Sequence, residues 1–185
     1  MVVDFRLRGP KRREEKTIKK ALSAYDSLDF LENNVILIRD GELKEVFGLA
    51  RELDEFLQRF PGLNLRHAGI KLGEVGRRFR FSIEGTFFLA KKESKRVYLS
   101  EKGEMLFLYG RDVFASSVIG ITEDTGENDI VMVCNENGDI LGIGKSRFDW
   151  HRMMEMKEKD PDRVVVENLL DRGEYLRKEK LYNAY

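Results

Sequence analysis

At 185 residues the chain is long enough for one large or two small hydrophobic cores; 36% of it is charged, with 33 Lys and Arg balancing 33 Asp and Glu. The longest apolar runs, VILI at 35–38 and FFLA at 87–90, fall far short of the ~20 residues that span a bilayer, so no membrane span is expected. The opening MVVDFRLRGPKRREEK is charged where a secretory signal needs an apolar core, so a cytoplasmic protein is expected.

Pro10 and the following KRREEKTIKKALSAYDSL predict a first helix, with Ile18, Ala21, Leu22 and Tyr25 on one face and a basic face opposite. VILIRDGELKEVF reads as a hairpin turning at Asp40-Gly41, a pair suited to a two-residue type I′ turn. In LARELDEFLQRF the spacing predicts a second amphipathic helix whose stripe of Leu49, Leu53, Phe56, Leu57 and Phe60 belongs to the core. The alternation around Phe79, Phe81 and Ile83 predicts a half-buried antiparallel strand. Glycines 69, 73 and 76 precede it, but Arg77-Arg78 follows where a phosphate-binding loop needs Lys and Ser/Thr opening a helix, so no nucleotide site is expected. The basic link LAKKESKRVYL marks a boundary between an α+β unit, residues 1–92, and a small barrel, residues 93–185. A lone Cys134 within IVMVC excludes an internal disulfide and reads as a buried small hydrophobe.

Zero net charge hides stripes. Residues 1–20 carry eight basic against three acidic side chains, and 63–102 carry ten against four. Between them, 21–62 hold nine acidic against four basic, read as a solvated helical face, and 103–140 hold eight acidic against Arg111 alone. Screening confines each stripe to within about 10 Å at 0.1 M salt, so a neutral protein of this kind can still bind a polyanion on one face.

Between Val97 and Arg147 the order of elements is more specific. FLYGRDV (107–113), ASSV (115–118), ENDIVMV (127–133) and GDILGIG (138–144) resemble the PUA domain, a small RNA-binding β-barrel. Ser117 and Asn128 stand where that pattern usually has glycine, and Asn tolerates a positive φ well. With GIKLGEVGRRFRFSIEGTFFLA ahead of it and DPDRVVVENLLDRGEYLRKE behind, the chain over roughly residues 35–180 is similar to the ribosome-biogenesis factors of the Nip-seven family. The resemblance implies an α+β fold: an N-terminal α/β pre-PUA domain with an antiparallel sheet, supporting contacts to ribosome-assembly proteins, then a C-terminal PUA barrel carrying RNA. It further implies a non-catalytic adaptor for large-subunit and ribosomal RNA maturation; a monomer with no cofactor is expected.

Within that frame Gly110 permits a sharp turn that projects Arg111 toward a phosphate, although pairing with Asp112 or Glu174 is the structural alternative. Lys145, Arg147 and Arg152 decorate the insertion SRFDWHRMMEMKEKDPD, where Trp150 either stacks an unpaired base or packs with Phe148, Met153, Met154 and Met156 onto the barrel. By resemblance, a closing strand through Val164–Val166 returns beside the Gly110 turn and brings Arg172, Arg177 and Lys178 to flank Arg111. An RNA-modification enzyme or its accessory subunit is the alternative. The first 92 residues, however, lack a GxGxG loop after a strand, and His67 and His151 are the sole histidines.

Overall fold

A two-residue strand, β1 (Leu7–Arg8), runs through Pro10 into α1 (Arg12–Ala24). The computed structural model describes residues 7–60, 68–90 and 92–178. The chain divides into two compact units, Met1–Lys92 and Glu93–Tyr185.

In the first unit the apolar face of α1 buries Ile18 and Leu22, and Tyr25, just past its end, meets the Phe81 ring edge-on at 5.0 Å. A short α2 (Phe30–Asn33) leads into β2 (Asn34–Arg39) and β3 (Glu45–Ala50). Their register pairs Arg39 with Glu45, so the connection is the five residues 40–44 and not a two-residue turn at Asp40-Gly41. A residue distant in sequence anchors this loop. Arg8 grips Asp40 (Nη2 to Oδ1, 2.8 Å) while holding Glu14 through two further bonds of 2.8 and 3.0 Å.

The second amphipathic helix forms as α3 (Arg51–Gln58), but its stripe is not core. Leu49 belongs to β3 and is buried, whereas Leu53, Phe56 and Phe60 are exposed, Phe56 by 51%. Strands β4 (Ile70–Val75) and β5 (Phe79–Phe81) follow, and α4 (Ile83–Leu89) replaces the expected continuation of the strand through Ile83. Ser82 makes that switch, its hydroxyl accepting the Gly85 N–H at 3.0 Å as an N-cap. The five strands form an antiparallel sheet in the order β1-β2-β3-β4-β5. The acidic stretch 21–62 is therefore largely not one helical face: Glu45 sits in β3, where Arg39 and Lys71 bind it, and Asp40 lies in the loop before it.

The second unit opens with β6 (Arg96–Leu99) and α5 (Glu101–Leu108), capped by Ser100. Strand β7 (Val113–Phe114), a 3-10 turn at Ala115–Ser117 and β8 (Val118–Ile121) come next. Ser117 keeps its place by accepting the Ser100 N–H on its carbonyl oxygen at 2.9 Å, and Asn128 takes up a φ of +63°. Then come β9 (Ile130–Cys134), β10 (Ile140–Ser146), α6 (Trp150–Lys159), β11 (Val164–Asp171) and α7 (Gly173–Lys178). The strand order β7-β11-β10-β9-β6-β8 curls into a nearly closed barrel, with β6 and β9 parallel and the other pairs antiparallel. Val97, Leu99, Phe107, Val131, Val133, Met153 and Val165 fill its core. Burial of Phe107 alone contributes ~1.5–3 kcal/mol. Cys134 is fully buried, and burial pushes its thiol up to about 11.

Candidate nucleic-acid interface

Helix α5 stops because Gly110 adopts φ +83°, a left-handed conformation that costs an L side chain ~1–2 kcal/mol. The Arg111 N–H then turns back to the Leu106 carbonyl at 3.1 Å. The far end of β11 locks this turn. Asn168 donates from its side chain to the carbonyls of Phe107 (2.9 Å) and Arg111 (3.4 Å), while its own N–H donates to Asp112 Oδ1 at 2.9 Å. Below it lies Asp171, 3% exposed, bound by both terminal nitrogens of Arg177 at 2.9 and 2.8 Å. Arg177 also donates to the Leu108 carbonyl, and its Nη2 would stand 3.2 Å from a Cβ at Gly110.

Arg177 therefore does come beside the Gly110 turn, yet its guanidinium works as a brace. The hydrogen bonds it donates to Asp171 raise its pKa further above the ordinary arginine value. Arg111 is the opposite case: it is exposed and forms no ion pair with any described residue, and Asp112 serves Asn168 instead. Arg172 is exposed, with its backbone N–H on the Leu141 carbonyl at 2.9 Å. The side chain of Lys178 lies outside the described residues.

A second group begins at mid-strand, at Glu167 next to Asn168, and extends past the start of β11. Arg147 pairs with Glu167 at 3.0 Å, and Lys145 stands opposite Glu167 in register without an ion pair among the described residues. Arg152 lies over the Phe148 ring at 4.9 Å, and Arg163 lies at 5.8 Å from the same ring. Both are exposed. Asp149 caps α6 through the Arg152 N–H at 2.8 Å, which fixes the helix that carries this arginine. Helix α6 packs on the barrel through Met153, with Phe148 and Met156 partly buried against the core, while Met154 is exposed. Trp150 is half-buried and edge-on to His151, outside that core. The predicted cations whose side chains are described thus form two adjoining groups along β11, with successive residues Glu167 and Asn168 between them. Arg163, Asn168 and Asp171 complete them without a local signal in the sequence, since their partners are Phe148, the Gly110 turn and Arg177.

Residues 7–83 match the family model of the NIP7/UPF0113 pre-PUA domain, and residues 95–180 match that of the UPF0113 PUA domain. Over 178 residues the chain is 52% identical to the UPF0113 protein of Archaeoglobus fulgidus, covering 96% of this chain and 98% of that one. This chain belongs to the NIP7/UPF0113 family. Among NIP7/UPF0113 relatives, the 60S ribosome subunit biogenesis protein NIP7 of Saccharomyces cerevisiae is 29% identical over 176 residues, 90% of this chain and 93% of its own. The architecture of this NIP7/UPF0113 member also matches a conserved PUA domain protein from Thermoplasma acidophilum. That structure superposes with a TM-score of 0.66 at 14% identity, over 92% of this chain and 97% of that one.

Proposed function

We propose that the chain is a non-catalytic RNA-binding adaptor in ribosome biogenesis, acting in assembly of the large subunit and maturation of its ribosomal RNA. The observation that carries this reading is Arg111: an exposed, unpaired guanidinium on a turn whose Phe107, Leu108 and Arg111 carbonyls and Asp112 carboxylate are held by Asn168 and Arg177. A rigid turn presenting a free, bidentate donor favours a phosphate oxygen, because little side-chain and backbone freedom is lost on contact. Arg172 adds charge near the same end of β11, and Lys145, Arg147 and Arg152 extend the basic surface along the unit. The name of the yeast relative supports the ribosomal setting, and within this proposal the pre-PUA unit takes the contacts to assembly proteins.

Filter binding of the full chain to unpaired and structured RNA across a salt series tests the reading. Each neutralised phosphate of a single strand contributes about −0.7 to the slope of log K against log salt. A steep negative slope is expected, and a flat response would sink the phosphate-contact picture. Turnover of S-adenosylmethionine on an RNA substrate would replace the adaptor with an enzyme.

A further inference from the structure

We infer that the β4–β5 hairpin of the first unit is a second RNA contact, which grips the sugar-phosphate backbone through Arg77, Arg78 and Arg80. The inference rests on the reading of the chain as an RNA-binding protein.

The hairpin is rigid. Val75 pairs with Phe79, Glu74 with Arg80 and Gly73 with Phe81, and the Gly76 N–H closes the tip on the Arg78 carbonyl at 3.0 Å. At its base Phe81 is buried against Tyr25 and edge-on to Phe79 at 4.9 Å. Arg77, Arg78 and Arg80 are all exposed on this support, and none forms an ion pair or side-chain hydrogen bond with a described residue. The nearest carboxylates are engaged elsewhere or stand apart. Glu74, directly across from Arg80, bonds Lys71 at 3.3 Å; Asp40 in the adjoining loop is held by Arg8; Glu42 beside it makes no ion pair with the three. By contrast Arg8, Arg39 and Arg51 of the same unit have their donors placed on Glu14 and Asp40, on Glu45, and on the Leu31 and Glu32 carbonyls.

Three exposed guanidiniums within four residues concentrate positive potential on the hairpin, and a polyanion lying against them relieves their mutual repulsion. The side chains chosen favour phosphate over carboxylate-bearing protein. A protein interface is built around an apolar centre, whereas backbone contact to nucleic acid needs cations alone. On this hairpin Phe81 is buried and Phe79 half-buried, so arginine dominates what it presents. Arginine also offers phosphate the two-pronged donor that lysine lacks.

The test uses the full chain, a fluorescent unstructured 20-nucleotide RNA, and the R77Q/R78Q/R80Q variant. Affinity at 0.1 M salt is expected to fall at least tenfold and the salt slope to flatten by about 2, at ~0.7 for each lost phosphate contact, with the melting temperature unchanged. The corresponding triple Lys variant is expected to keep most of the slope. Wild-type RNA affinity and slope in the Gln variant would overturn this inference while leaving the RNA-binding function standing; absence of RNA binding by the wild type would overturn both. Unchanged RNA binding with lost retention on polyglutamate would make the hairpin an acidic-protein surface and overturn it. So would aggregation with unchanged affinity of the soluble fraction, which would make the arginines guards of the β5 edge.

Discussion

Beside β11, Arg177 on one side and Arg152 with Arg163 on the other put the same guanidinium to opposite uses. At the far end Arg177 is bound twice to a buried carboxylate and once to a carbonyl; toward the start of the strand Arg152 and Arg163 rest on one phenyl ring, and neither forms an ion pair with a described residue. A guanidinium that sits against a buried Asp171 holds the fold together, and one whose hydrogen-bond donors face solvent is available to a ligand. What separates structural from functional arginine here is the partner, and the residue type does not reveal it.

The sharpest way to break this comparison is to remove Asp171. Asp171→Ala leaves Arg177 and the Asn168 amide without their shared acceptor, and urea denaturation should show a loss of ~3 kcal/mol. A loss within ±0.5 kcal/mol would put Arg177 among the free cations. Next in size is Gly110→Ala, where a left-handed φ and a close guanidinium combine, with an expected cost of ~1–2 kcal/mol by the same measurement. Arg111→Gln inverts the pattern: RNA affinity at 0.1 M salt drops roughly fivefold, ~1 kcal/mol, and the melting temperature stays in place. A matching fall in stability would make Arg111 a second brace.

The smallest effect at neutral pH lies in the first unit, where Arg8 follows the bound rule. The hydrogen bonds from Arg8 hold the Glu14 carboxyl far below the ordinary glutamate value near 4.5, against the opposing effect of burial. Asp40 is lowered by the same guanidinium. Because the unfolded chain takes up these protons first, the stabilisation is fully present above about pH 4.5 and is lost as the pH falls through that range and below. The urea midpoint of the wild type should therefore fall more steeply between pH 5 and 3 than that of Arg8→Gln, and parallel curves would show that the network contributes nothing.

Much of the fold is legible because its signals are local. The Ile18, Leu22, Tyr25 spacing finds α1, the run IVMVC finds a buried strand, and FLYGRDV places the turn. The failures have physical causes of a different kind. Amphipathic spacing in Leu53, Phe56 and Phe60 reveals that α3 has an apolar face, but not whether anything covers it. Alternation from Phe79 to Ile83 suggests one continued strand, yet a single hydroxyl at Ser82 starts a helix. Asp40-Gly41 has the chemistry of a tight turn, yet it lies in a longer loop whose Asp40 is bonded by Arg8, 32 residues earlier in the chain. In the candidate site, Gly110 and Arg111 are readable from their motif, whereas the bond between Arg177 and Asp171 depends on how α7 folds back over the end of β11.

The edge position of β7 has a temporal consequence. Its two residues pair with β11 alone, Val113 with Val166 and Phe114 with Val164, across some fifty residues of intervening chain. The Gly110 turn sits immediately before β7 and takes its anchors from Asn168 and Arg177. During synthesis β6 through β10 are all made before those anchors exist. Until then the turn has only its local bonds to Leu106 and Phe107, so its full set of anchors is a mark of the completed barrel.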